Sequence, residues 1–263
     1  MSDPQGTVGT GGESELEVIE HSSPFHPMEQ FQIHPLGNID IFGLDLSFTN
    51  SSLWMVIAAL LSSGFLLFAV RGGSIVPTRL QVIAEMLYTV VANMVRDNVG
   101  SEGRAFFPFI FTLFVFILFC NLQALIPGSF AVTSHIIVTF TMAMVIFVAV
   151  TAIGFMRHGM HFFRFFFPEG APGWTAVILI PIEVVSYLSR PISLSVRLFA
   201  NMTVGHVLFK ILAGFTILMG LAGVLPLAVL VGITALEVLV AILQAYVFTI
   251  LTCVYLHDAI HMH

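Results

Sequence analysis

The sequence predicts an all-α membrane protein with about five transmembrane helices and one interfacial amphipathic helix. Three observations carry that expectation: composition, the length of the apolar runs, and the distribution of basic residues. Of 263 residues, 57% are hydrophobic and 9% charged, with 26 Phe and 12 Met. The mean hydropathy of +0.99 lies well beyond that of an ordinary soluble domain. Cys120 and Cys253 stand far apart inside apolar runs, with no spacing that suggests a metal site or a disulfide framework.

The chain begins with an acidic arm, residues 1–45, expected to be partly flexible and extracytoplasmic. Eight of the fifteen acids fall in it and no Lys or Arg does. The Gly, Ser, Glu and His content of "GTVGTGGESELEVIEHSSPFHP" suits a solvated segment. A secretory peptide needs a basic start and a transit peptide needs arginines, so neither signal fits. His21, His26 and His34 lack tight metal-ligand spacing and read as a surface loop or partner contact.

Residues 46–263 form the expected transmembrane domain. A helix crosses the hydrocarbon core with about 20 apolar residues, and Ser51–Val70, Phe106–Ile126 and Ala131–Met156 each reach that length. Pro77–Asn98 sets Arg79, Glu85, Arg96 and Asp97 among apolar positions. That pattern suits a helix at the membrane surface, or a polar connecting helix packed on protein. From Trp174 almost to Leu256 the chain is apolar again, punctuated by Pro181, Pro191 and "MGLAG" at Met219–Gly223. The break divides it into two long helices forming a hairpin, taken as functional over residues 172–258.

Arg71, Arg79, Arg96 and Arg104 lie between the first two spans, and Arg157 and Arg164 follow the third. Cytoplasmic loops carry such an excess, so five crossings place the N-terminus outside and the C-terminus in the cytoplasm.

Ionisable groups within a bilayer are costly and mark functional paths. Glu183, Arg190 and Arg197 are spaced by seven and share one helix face, to which Asn201 returns one turn later. Antiparallel helices joined at "MGLAG" bring residues equidistant from the turn to one depth, which levels Arg197 with Gln244 and His206 with Glu237. Arg197 cannot discharge itself by losing a proton. One alternative is an ion pair with Glu183 or Glu237 that fixes packing, but no acid sits three or four residues from it. His206 beside Glu237 suggests a proton relay, against a packing histidine. Lys210 suits a snorkelling residue at the outer interface. His257 and His261, four apart, suit an interfacial helix end better than a metal site.

"PISLSVRLFANMTVGH" (191–206), followed by "LEVLVAILQAYVFTILTCVYL" (236–256), resembles subunit a of the F-type ATP synthase, the stationary half of its membrane proton channel. "FCNLQALIPG" (119–128) resembles that family's second-span signature, so the likeness covers roughly residues 77–257. The resemblance implies that Arg197 is the arginine facing the carboxylates of the rotating c-ring. Gln244 and Asn201 are the polar residues beside it, His206 and Glu237 line the outer half-channel, and Glu183 lies near the inner one. Asn121 takes an outer half-channel or packing position. It further implies a strongly tilted terminal hairpin, peripheral-stalk b-type subunits and membrane lipids as partners, no nucleic acid, no cofactor or metal, and no covalent chemistry by the chain itself. The location would be a bacterial inner membrane, with the mitochondrial inner membrane as the alternative.

The function so implied is a proton-translocating stator subunit with two half-channels separated by an arginine. A sodium-driven variant lacks a clear set of oxygen ligands. The rival from another class is a proton-coupled secondary transporter, which usually shows internal repeats around a midplane site. No repeat is visible, and the buried charges concentrate in the last third. A membrane scaffold is a third reading; it predicts a replaceable polar stripe.

Overall fold

Inside a hydrocarbon layer each backbone N–H and C=O must be satisfied by the chain, and a helix does this locally. The computed structural model describes residues 35–37, 40–41, 44–45, 48–71, 77–126, 129–159 and 176–260. Within them the fold rests on helices α1 (Asn50–Arg71), α2 (Arg79–Asn98), α3 (Phe107–Ala124), α4 (Ile136–His158), α5 (Ala176–Leu218) and α6 (Val224–Ile260). All but α2 are long and apolar enough to cross a membrane. The expected arm up to residue 34, with His21, His26 and His34 in it, lies outside the described residues, as do Arg164 and His261.

Short antiparallel pairings precede α1. β1 (Pro35–Gly37) pairs with β4 (Phe48–Thr49), with Pro35 opposite Thr49, and encloses the pair β2 (Asp40–Ile41) and β3 (Leu44–Asp45). Nothing in the composition of the arm predicts these pairings, and β1–β4 reaches across the expected boundary at residue 45.

α2 starts at Thr78, whose hydroxyl accepts from the Gln81 amide at 3.4 Å, after Pro77. One edge, Val91, Met94 and Val95, is buried against the bundle. Leu80, Ile83 and Met86 are exposed, the distribution of an apolar stripe without a protein neighbour. A 3₁₀ turn, Ser101–Phe106, leads into α3.

The third span starts later than expected, at Ile136 instead of Ala131. Val132–Ser134 form a 3₁₀ turn in which the Ser134 hydroxyl donates to the Ala131 carbonyl at 2.6 Å. Such side-chain bonds compete with helix formation. His135 caps the turn, stacked on Phe130 at 5.0 Å, and burial pushes its imidazole below the ordinary value of 6.5. As expected from a single division at "MGLAG", Pro181 and Pro191 lie inside one continuous helix, α5. Helix-breaking residues are tolerated in membrane segments because neighbouring helices and local adjustments satisfy the freed carbonyls.

The core lies where α3, α4 and α5 meet the C-terminal half of α6. Along α6 the buried positions are Ala241, Gln244, Ala245, Phe248, Thr249, Thr252, Cys253, Leu256, Ala259 and Ile260, a stripe recurring every three or four residues. Small residues in that stripe let α3 approach closely; its Ile110, Phe114, Ile117 and Cys120 are buried in turn. Lipid is as apolar as leucine, so burial of apolar area does not drive this association as it does in water. Packing and cross-helix hydrogen bonds do more. Gln123 donates to the Trp54 carbonyl at 3.2 Å, joining α3 to α1, and Thr151 shares a 2.7 Å bond with the Tyr187 hydroxyl, joining α4 to α5.

α5 and α6 form the expected hairpin. Met219 still bonds to the Phe215 carbonyl, and then Gly220, at φ 54°, turns the chain into the 3₁₀ segment Gly220–Gly223. A left-handed conformation there favours glycine.

Candidate functional site

The turn fixes which residues of α5 and α6 meet, and the contacts fall at the depths the sequence predicts. Asn201 on α5 donates through Nδ2 to Oε1 of Gln244 on α6 at 2.8 Å. Beside Asn201 and extending toward the turn, a small cavity of about 10 Å³ is lined by Leu125, Asn201, Met202, Gly205, His206, Glu237 and Val240. That space is at the threshold for one water molecule. His206 and Glu237 are thus brought to one cavity.

Glycine at position 205 leaves room for this arrangement. A Cβ there would overlap the Glu237 carboxylate, with Oε1 the first atom met and Cδ at 3.1 Å. The Glu237 carboxylate thus sits between α5 and α6 in the space left by the missing side chain, and a larger residue there would push it aside. The Glu237 Oε1 atom is enclosed and has no hydrogen-bond partner among the described residues. A buried acceptor in that condition is costly unless water or a proton satisfies it.

Arg197 stands one turn from Asn201 on the same stripe. It is exposed. Among the described residues no hydrogen bond or ion pair to it is found. Gln244 accepts its bond from Asn201, one turn from Arg197 on the same stripe. An intrachain ion pair with Glu183 or Glu237 is not formed. Glu183 lies half-buried, two heptads along α5, apart from the cavity.

A different arginine on the stripe does pair within the chain. Arg190 Nη1 donates to Asp258 Oδ2 at 3.0 Å, with its guanidinium 5.3 Å from the Tyr187 ring and 4.9 Å from the Tyr255 ring. The sequence argument missed this cluster, although Arg190 and Asp258 are nearly equidistant from the turn. Gly205 was missed too; its signal was a small residue level with an intramembrane acid.

Asn121, fully buried on α3, donates through Nδ2 to the Ala241 carbonyl of α6 at 3.3 Å. It ties α3 to the glutamine helix three residues before Gln244, and it does not line the cavity. Among the described residues no cluster of three or more His, Cys, Asp or Glu has the arrangement of a metal site.

Known proteins place this architecture. The family model described as ATP synthase A chain matches residues 52–257. ATP synthase subunit a of Rhodospirillum rubrum is 60% identical over 238 residues, covering 90% of this chain and 99% of that protein. ATP synthase subunit a of Paramagnetospirillum magneticum is 57% identical over 245 residues, covering 90% of this chain and 99% of that protein. A hairpin carrying an unpaired arginine beside an Asn–Gln bond, on a chain matched almost end to end by these relatives, belongs to the ATP synthase A chain family.

Proposed function

We propose that this chain passes protons to and from the carboxylates of a rotating c-ring through two offset half-channels, with Arg197 between them. Its general role is that of the family, the non-catalytic, proton-translocating subunit of an ATP synthase. The observation that carries the finer reading is the exposed Arg197 without an ion pair among the described residues. A permanent cation at the lipid-facing surface of a span is costly unless a partner supplies an anion.

The sequence of events follows from charge. A proton enters beside His206 and Glu237 and neutralises a ring carboxylate, which lets that subunit turn into lipid. When a protonated carboxyl completes the circuit, the guanidinium favours its ionised form, and the proton leaves on the Glu183 side. The fixed charge also stands in the way of a proton passing directly between the half-channels. The N-terminus then faces outward and the C-terminus the cytoplasm, with b-type subunits holding the chain against the ring. Family membership leaves the secondary-transporter reading without support.

The test is Arg197→Ala in the assembled complex. ATP-driven proton pumping into inverted vesicles is expected to be lost while the complex still purifies with its ring. Full pumping by that variant would overturn the mechanism.

A further inference from the structure

At the basic end of the bundle, away from the proton cavity, α2 and the start of α3 enclose a pocket of about 600 Å³. Its polar groups are Tyr88, Asn93, Arg96, Ser101 and Arg104, and Phe107 forms part of its apolar wall. Arg96 and Arg104 are exposed, and neither guanidinium makes an ion pair or hydrogen bond among the described residues. The neighbouring acid Glu102 is engaged instead with Arg157 on α4. Two guanidiniums therefore line one space with no carboxylate among its described lining residues.

We infer that this pocket binds the phosphate headgroup of an anionic membrane phospholipid. Guanidinium forks match phosphate oxygens in pairs, and the Asn93 amide and the Ser101 and Tyr88 hydroxyls add neutral donors at the rim. The walls suit a lipid better than a free anion. Tyr88 packs edge-on against Phe107 at 4.8 Å, and Ala92 and Val95 add to the apolar wall beside it. Basic pockets between helices at the cytoplasmic face are the usual seat of anionic headgroups, and the arginine distribution puts this pocket on that face. The site depends on the chain crossing a membrane, and is independent of the proton path through the hairpin.

The test uses the complete ATP synthase reconstituted in vesicles with a photoreactive phosphatidylglycerol, the cross-linked peptides being mapped by mass spectrometry. Labelling of residues 88–107 is expected with this probe and not with the matching phosphatidylcholine. The variant Arg96→Gln/Arg104→Gln should bind roughly 30-fold more weakly, since each basic residue near a membrane surface contributes to anionic-lipid affinity. Arg96→Lys/Arg104→Lys should retain labelling between the two. Equal labelling by both lipids, labelling unchanged in the glutamine variant, loss of labelling on adding inorganic phosphate, or a pocket filled by another subunit's peptide would each overturn the inference. Unchanged ATP hydrolysis and subunit content show that the variants assemble, so a loss of labelling then reports the site.

Discussion

The carboxylate of Glu237 occupies the space that a side chain at Gly205 would need. The acid is thus positioned by an absence on the facing helix, and its location is sensitive to the addition of one methyl group. Gly205→Ala should displace the carboxylate from the cavity and slow ATP-driven proton pumping by about 10- to 100-fold, the cost of misplacing a reacting group by about 1 Å. Measured alongside, ATP hydrolysis uncoupled from the membrane sector should be unaffected. Pumping at the wild-type rate would show that Glu237 need not occupy this position.

Proton relay through the same cavity predicts a second outcome. Glu237→Gln keeps the shape and removes the exchangeable charge, so transport should fall by roughly 100-fold on the scale usual for acid–base groups. Its dependence on external pH should flatten as well. A rate and pH profile unchanged from wild type would remove Glu237 from the path.

The bond between Asn201 and Gln244 is expected to couple the two residues energetically. A double-mutant cycle with Asn201→Ala and Gln244→Ala, read as thermal stability of the detergent-solubilised complex, should give an interaction of about 0.6–1.7 kcal/mol, the range for polar contacts between membrane helices. Additive losses would mean that the 2.8 Å bond does not persist in the assembled protein.

Arg190 meets Asp258 and the rings of Tyr187 and Tyr255, whereas Asp258 contributes the ion pair. Both side chains are partly exposed, at 20% and 31%, so solvent screening limits the ion pair to about 1 kcal/mol or less. Stacking on Tyr187 and Tyr255 adds about 0.5–1 kcal/mol for each ring. Arg190→Ala should therefore destabilise the hairpin more than Asp258→Asn does, and 0.5 M salt should narrow the gap only slightly. Equal losses in the two variants would place the whole effect in the ion pair.

His135 supplies a pH test. Its folded-state pKa is lowered by burial, so the unfolded chain takes up the proton more readily. The stabilisation from the neutral ring is complete above about pH 6.5 and declines as pH falls below that value. His135→Phe, which preserves a ring against Phe130, should flatten that acid-side decline in melting temperature.

The spans and the hairpin were legible because their signals are local. Twenty apolar residues define a crossing, and a glycine-rich break defines a turn, after which equidistance alone levels His206 with Glu237. Three features escaped for physical reasons. The start of α4 depends on a serine hydroxyl that finds the Ala131 carbonyl, a competition that hydropathy does not register. The Arg190–Asp258 pair forms between two helices, and no spacing along either one marks it. Gly205 matters through what faces it on another helix, and nothing in its own neighbourhood distinguishes it from other small residues.

The length of α5 has a geometric consequence. At about 1.5 Å per residue its 43 residues extend about 64 Å, and the 37 of α6 about 55 Å, against a hydrocarbon layer about 30 Å thick. Neither helix fits upright within that layer, so apolar ends such as Ile178 and Leu218 stay covered only if the pair leans steeply. Arg197 stands midway between the two ends of α5. A rod that pivots about its midpoint moves everything except that point, so the arginine keeps its depth at whatever angle the hairpin settles, like the fulcrum of a lever.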